Sequence, residues 1–291
     1  MLRIILIGLA VVALIVVGAG LYSFKVYRAR MADAEQAWSA IAAQAPNASQ
    51  SLPRFDPTQL ADQPEIARRY LIHAIEPGTP LNPVVSLTMQ GVFRLGNADA
   101  PRELAMSARQ ILAAPSEFVW IPTMAGGGMR IWGSDGLHQG NGWTRFWMYG
   151  VVPLVQAADT PDLNRAALVR PAIESIWAPA ALHPALGARW EQTGENTARV
   201  TPAQSDITID LTLDATGAVT EVVAQRWSNA NPDAEYRLQP FGGFVTSEGT
   251  FDGFTIPTQV AVGNHFGTAD FFAFFEAQLT SVDYLTNQSP D

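Results

Sequence analysis

Residues 207–227 read ITIDLTLDATGAVTEVVAQRW, and this stretch decides the fold. Ile207, Ile209, Leu211 and Leu213 alternate with Thr208, Asp210 and Thr212, the period of a strand with one buried face. Asp214-Ala215-Thr216-Gly217 has turn chemistry, and residues 218–227 return as a second strand. Towards the C-terminus, residues 236–238, 243–248, 255–262 and 271–279 continue the series. Strands at this spacing, with turn residues between them, predict an antiparallel meander. Towards the N-terminus, residues 85–95 alternate Val85, Leu87 and Met89 against Ser86, Thr88 and Gln90, and Gly91 admits a bulge. Residues 118–122, 129–132 and 143–150 also read as strands. Residues 125–128 form a glycine turn, and Asp135-Gly136 falls in a turn between the last two strands. Residues 103–114 fit a short helix or a strand.

Helical spacing occurs at residues 31–44, 65–75 and 164–182. Pro171 and Pro179 interrupt the last of these and predict a kinked or split helix. Residues 46–64 are rich in Pro, Ser, Asn and Asp and read as a linker or wrapping loop. The expected class is α+β: an N-terminal transmembrane helix, then a curved, mostly antiparallel sheet, an incomplete barrel, covered by helices on one face. The expected organisation is a membrane anchor with basic flank at 1–30, a helix and linker at 31–64, a single domain at 65–285 and a tail at 286–291.

The anchor is residues 4–24, an uncharged apolar run bounded by Ile4 and Phe24. At about 1.5 Å of rise per residue, about 20 residues cross a hydrocarbon core of about 30 Å. A signal peptide is the competing reading, with Val17-Gly18-Ala19 as its small-residue site, although its apolar region is ordinarily shorter. The expected address is a single pass through a bacterial cytoplasmic membrane with the domain outside. Lys25, Arg28 and Arg30 after the run, against Arg3 before it, lean the other way by about one charge.

All 27 acidic residues lie beyond residue 30, and Lys25 is the only lysine of the chain. A domain this acidic repels nucleic-acid phosphates, so no nucleic-acid partner is expected. The absence of cysteine excludes disulfides and thiolate chemistry. His73, His138, His183 and His265 lack metal-site spacing, and Gly126-Gly127-Gly128 and Gly242-Gly243 fit no phosphate loop, so neither a metal nor a cofactor is expected. The eight Trp and 14 Phe supply either core packing or a lined apolar pocket. Trp120, Trp132, Trp147, Trp177, Arg226, Trp227 and Phe241 are the candidate ligand-binding residues. Glu174 and Trp177 share a helical face, so Glu174 is expected to pair with Arg226 or Arg237 and fix helix to sheet. The other reading of Glu174 is an acid or base with a raised pKa.

Tyr70-Leu71 before Pro77-Gly78, Glu174-x-x-Trp177-x-Pro179-x-x-Leu182, Arg226-Trp227, Pro240-Phe241-Gly242 and Phe251-x-Gly253-x-x-Ile256-Pro257 follow one another in an order that resembles a bacterial family of unknown function, DUF6544, with its relative DUF6920. The resemblance covers roughly residues 64–285. It implies no reaction, but its members often begin with a membrane segment. The final meander, with Gly253-x-x-Ile256-Pro257 and residues 266–284, is similar in style to the LolA and LolB lipoprotein-carrier superfamily. That second resemblance implies an incomplete barrel, capped by helices, that holds acyl chains.

Three functions follow as expectations. The first is a membrane-tethered domain binding a lipid or other apolar ligand. The second is an interaction subunit of a membrane complex, presenting the Trp-rich residues 140–147. The third is a hydrolase-like enzyme using Glu174 or Asp135. A non-enzymatic role is the favoured expectation.

Overall fold

The computed structural model describes residues 2–47 and 52–287. Its centre is one antiparallel sheet in which every strand pairs with its neighbours in a continuous meander. The first half comprises β1 (Val84–Leu95), β2 (Arg102–Ala113), β3 (Glu117–Gly126), β4 (Met129–His138), β5 (Asn141–Met148) and β6 (Val152–Ala158). The second comprises β7 (Arg189–Gln192), β8 (Thr197–Thr201), β9 (Ile209–Leu213), β10 (Val219–Ser228), β11 (Arg237–Phe251), β12 (Phe254–Asn264) and β13 (Phe272–Tyr284). The chain enters mid-sheet at β1, steps outward to the β6 edge, crosses to the β7 edge and steps back until β13 pairs with β1, Val85 opposite Tyr284.

The crossing is made by α3 (Pro161–Ala167), α4 (Val169–Ile173) and three 3-10 turns, Glu174–Trp177, Pro179–Leu182 and Pro184–Leu186. Thr160 caps α3 by accepting from the Leu163 amide, with Pro161 at its first helical position. Pro171, Pro179 and Pro184 each withhold a backbone donor, so the predicted split helix becomes a chain of short turns. This connection and α2 (Glu65–Ala74) bury Leu71, Ile176, Trp177 and Leu182 in the main core with Leu87, Leu112, Leu137 and Ile209 of the sheet.

The opposite face of β2–β5 is covered by α1 (Leu2–Ala42), which runs without a break from the apolar segment into the predicted helix at 31–44. Ala34, Ala37 and Ile41 are buried there against Ile111, Ala113, Val119 and Trp143. Before Phe24 the helix stands clear of the sheet and exposes Ile4, Leu9, Leu14 and Leu21. Its most apolar window has a mean hydropathy of 3.0, sufficient in length and composition to cross a membrane.

Some expectations need correction. Residues 103–114 are strand, within β2. Leu104, Met106 and Ala108 alternate there, but Ile111, Leu112 and Ala113 are buried on both faces and blur the period. Asp135 and Gly136 lie inside β4, and the chain reverses at Gln139-Gly140, both at positive φ. Gly91 sits in regular pairing; the register shift falls between Thr88 and Met89. Residues 236–238 and 243–248 are parts of a single strand, β11, apart from Tyr236 just before it. The Pro-rich segment wraps the domain, burying Phe55 and pairing Arg54 with Pro80. Residues 48–51 of that segment and 288–291 of the tail lie outside the described residues.

Candidate functional site

Side chains of β4 and β5 share one cavity with those of β10–β12. Seven steps of the sheet separate β4 from β10, roughly 34 Å if laid flat at about 4.8 Å per strand. The sheet therefore curls around the crossing connection without closing, since β6 and β7 do not pair. The cavity is about 260 Å³ and partly open. Its walls are largely aromatic and aliphatic, from Phe93, Trp120, Phe146, Phe241, Phe274 and Phe275, with Ile173, Ile176 and Trp177 contributed by the connection.

The connection is fixed at two levels. At the deeper one, Trp177 Nε1 donates to the Pro257 carbonyl at 3.0 Å, and the Tyr284 hydroxyl donates to the Trp177 carbonyl at 2.9 Å. At the other, Arg170 donates to Asp135 of β4 at 2.7 Å and to Glu174 at 2.7 Å, with a further bond to Gln110 of β2 at 3.2 Å. Gln110 donates in return to the second Glu174 oxygen at 2.7 Å, and Thr144 donates to Asp135 at 2.7 Å. The Arg170 guanidinium also lies over the Phe118 ring at 4.3 Å. Burial works against its charge, but Glu174 and Asp135 outweigh burial and hold its pKa above the ordinary arginine value. Burial pushes the Glu174 carboxyl above its ordinary range, against the opposing pull of Arg170.

Arg226 lines the same cavity without such partners. Its Nε is buried with no hydrogen-bond partner, and its guanidinium lies 4.8 Å from the Phe241 ring centroid. Burial holds its pKa below the ordinary arginine value, and Asp135 opposes this only in part. Trp120 Nε1, also in the cavity wall, is a second buried donor without an acceptor. Unpaired buried donors are costly and uncommon, and two of the four buried side-chain atoms without a partner among the described residues belong to residues that line this cavity.

Of the seven candidate residues, Trp120, Trp177, Arg226 and Phe241 come together in this cavity. Trp132 and Trp147 lie on the outer face, with ring centroids 6.4 Å and 5.4 Å from Tyr27 of α1. Trp227 faces α3, donating to Asp162 at 2.7 Å beneath the Arg165 guanidinium. The expected Glu174 pairing is corrected: its partner is Arg170, and Arg237 pairs with Asp233 at 3.1 Å. The Trp-rich residues 140–147 are not a free contact surface, because Trp143 and Trp147 are buried. Arg170, Gln110, Phe93, Phe274 and Phe275 are site residues that sequence reasoning missed. The Arg170-x-x-x-Glu174 spacing was the available signal, since residues four apart face each other on a helix.

The sequence comparison places this curled open meander in a family. The chain belongs to the family of unknown function DUF6544, whose model matches residues 53–277. No curated protein matches the sequence. Among solved structures, the chain is similar to a LolA superfamily protein from Nitrosomonas europaea at 11% identity and a TM-score of 0.39, covering 77% of this chain and 93% of that one. It is also similar to a domain described as an outer membrane lipoprotein-sorting protein from Vibrio parahaemolyticus at 9% identity and a TM-score of 0.33, covering 76% of this chain and 92% of that one.

Proposed function

We propose that this protein is tethered to a membrane by α1 and holds one single-chain acidic amphiphile in the curled sheet, its apolar chain among the Phe and Trp side chains and its anionic head on Arg226. The carrying observation is the Arg226 guanidinium, which reaches an apolar cavity with its Nε unpartnered. A carboxylate or phosphate oxygen there makes a charge-assisted hydrogen bond in a site of low dielectric. Trp120 Nε1 offers a second donor on the same cavity wall. A volume of about 260 Å³ suits one chain rather than a diacyl lipid. The hydrolase-like alternative has less support, because both oxygens of Glu174 and both of Asp135 are engaged by neighbours.

The test is titration of the purified protein with a fluorescent fatty acid and with its uncharged methyl ester. The acid binds the wild type more tightly than the ester does. Arg226→Met reduces affinity for the acid on the order of tenfold or more, the equivalent of one charged hydrogen bond, and leaves the ester unchanged. Equal loss for acid and ester would reduce Arg226 to a packing role, and no binding of either would remove the amphiphile reading.

A further inference from the structure

The chain carries a second surface that the cavity alone does not explain. Six hairpin turns lie along one rim of the curled sheet, at residues 96–101, 127–128, 149–151, 202–208, 229–236 and 265–271. Helix α1 leaves the sheet over this rim. Its later part packs on β2–β5, and Tyr27 lies against Trp132 and Trp147. A Cβ added at Gly150 would stand 3.3 Å from the Tyr27 ring and 3.4 Å from the Phe24 ring, so the β5–β6 turn touches α1 where its apolar run ends. Because α1 is continuous from Leu2 to Ala42, the packed part fixes the direction of the apolar part.

We infer that this rim rests on the leaflet crossed by α1, so that the cavity opens onto the bilayer and exchanges its ligand with the membrane directly. This rests on reading α1 as the membrane anchor. Outside α1, ten large apolar side chains are exposed among the described residues, and all but Ile72 and Leu168 belong to the two hairpins β5–β6 and β10–β11, which turn at this rim. They include Tyr149, Val151 and Val152 on one hairpin and Tyr236, Leu238 and Phe244 on the other. Exposed apolar side chains of the β5–β6 hairpin beside an apolar helix are an interaction surface, those of the β10–β11 hairpin extend it further along the rim, and the continuity with α1 makes a lipid leaflet its partner. The unpaired β6 edge, apolar on both faces at Val152, Pro153, Leu154 and Val155, is an aggregation hazard in water unless it is covered.

The cavity lies at the same rim. Phe93, Phe146, Arg226, Val262 and Phe274 line it there, each two residues from the rim end of its strand, while Trp120, Asp135, Thr144 and Val222 carry its wall towards the other end. The other end of the barrel is filled by Phe55, Leu60, Ile66 and Leu71. The rim turns carry Asp99, Asp206, Asp233, Glu235 and Asp270, and Lys25, Arg28, Arg102, Arg130 and Arg237 stand beside them. Charge there is close to balanced, so the contact rests on apolar side chains and tolerates salt and a zwitterionic lipid.

The absence of cysteine makes single-site labelling of the full chain direct. Val12→Cys, Val151→Cys, Tyr236→Cys and Ala215→Cys would each carry an environment-sensitive fluorophore in phosphatidylcholine vesicles containing brominated lipid. The expected result is loss of fluorescence at 12, 151 and 236 and none at 215, which lies on a turn at the other end of the sheet. Quenching at 12 with 151 and 236 matching 215 would overturn the rim contact and leave the anchor standing. No quenching at 12 would overturn the anchor and the rim contact together. Quenching at 151 and 236 only in anionic vesicles would overturn the apolar basis of the contact. None of these readouts depends on ligand, so failure of the amphiphile reading remains separate and is decided by the titration of Arg226→Met.

Discussion

Arg170 Nη2 lies 2.7 Å from Glu174 Oε1, one helical turn along the crossing connection, and the same guanidinium reaches Asp135 on β4. The ion pair is therefore internal to the connection, and Asp135 and Gln110 fasten it to the sheet. Glu174→Gln sets an amide against the Gln110 amide and loses a charged hydrogen bond, at a cost of about 1–3 kcal/mol. Glu174→Ala costs more, about 3–5 kcal/mol, because Arg170 keeps its charge in a buried site with fewer acceptors. The pH dependence has a definite sign. A carboxyl whose pKa is raised on folding binds its proton more tightly in the folded state, so its contribution falls as pH rises from the ordinary glutamate range towards neutrality. Glu174→Gln lacks that loss, so its deficit against wild type shrinks with rising pH. Unfolding midpoints of both proteins at about pH 5 and about pH 8 decide the point. A deficit that grows with pH would mean the Arg170 pairing outweighs burial.

Much of the sheet was legible because half-buried strands print their period on the sequence. Residues 207–227 show it best, with Ile209, Leu211 and Leu213 buried on one face of β9 and Val222 and Ala224 on β10. Legibility fails where that condition fails. β6 is exposed on both faces, so its apolar residues carry no alternation. The end of β2 is buried on both faces, with the same result.

The cavity was only partly legible for a different reason. Parity along a strand shows that Arg226 and Trp227 face opposite ways, but not which one faces inward; that depends on where the crossing connection lies. Trp132 and Trp147 went to the outer face because α1 packs there, a relation between distant segments. The partner of Glu174 lies on its own helical face and not on the strands, a four-residue spacing to Arg170 that is written in the sequence.

Gly91 is one of several strand glycines at which neighbouring backbones approach closely. A Cβ there would overlap the Glu276 carbonyl oxygen of β13 and stand 2.8 Å from its carbon. Gly91→Ala therefore separates β1 from β13, the pair that joins the two halves of the meander, and costs on the order of 3 kcal/mol. Gly128 is the control. It has a positive φ of 77° but open space around it, so Gly128→Ala costs about 1 kcal/mol of backbone strain alone. Melting temperatures of the two variants should separate clearly, and equal shifts would argue against the close approach.

Helix α1 serves two roles that truncation can separate. Up to Phe24 its side chains are largely exposed, and removing residues 2–24 takes away the apolar run while sparing the packed part. Beyond it, Ala34, Ala37 and Ile41 cover Ile111, Ala113, Val119 and Trp143; Arg109 bonds Glu35, and Gln44 donates to Glu117 at 2.5 Å. Removing residues 2–44 strips that cover. At about 25 cal/mol per Å² of apolar area, exposing one large side chain costs about 1.5–3 kcal/mol, and here several are uncovered together. Loss on this scale is comparable to the whole stability of a typical domain. The shorter truncation should yield a folded protein in mild detergent, with a cooperative melt and a strand-dominated circular dichroism spectrum. The longer one should aggregate or melt without cooperativity. Cooperative melting of both forms would show that α1 contributes no packing to the domain, and failure of both would show that the domain depends on the apolar run itself.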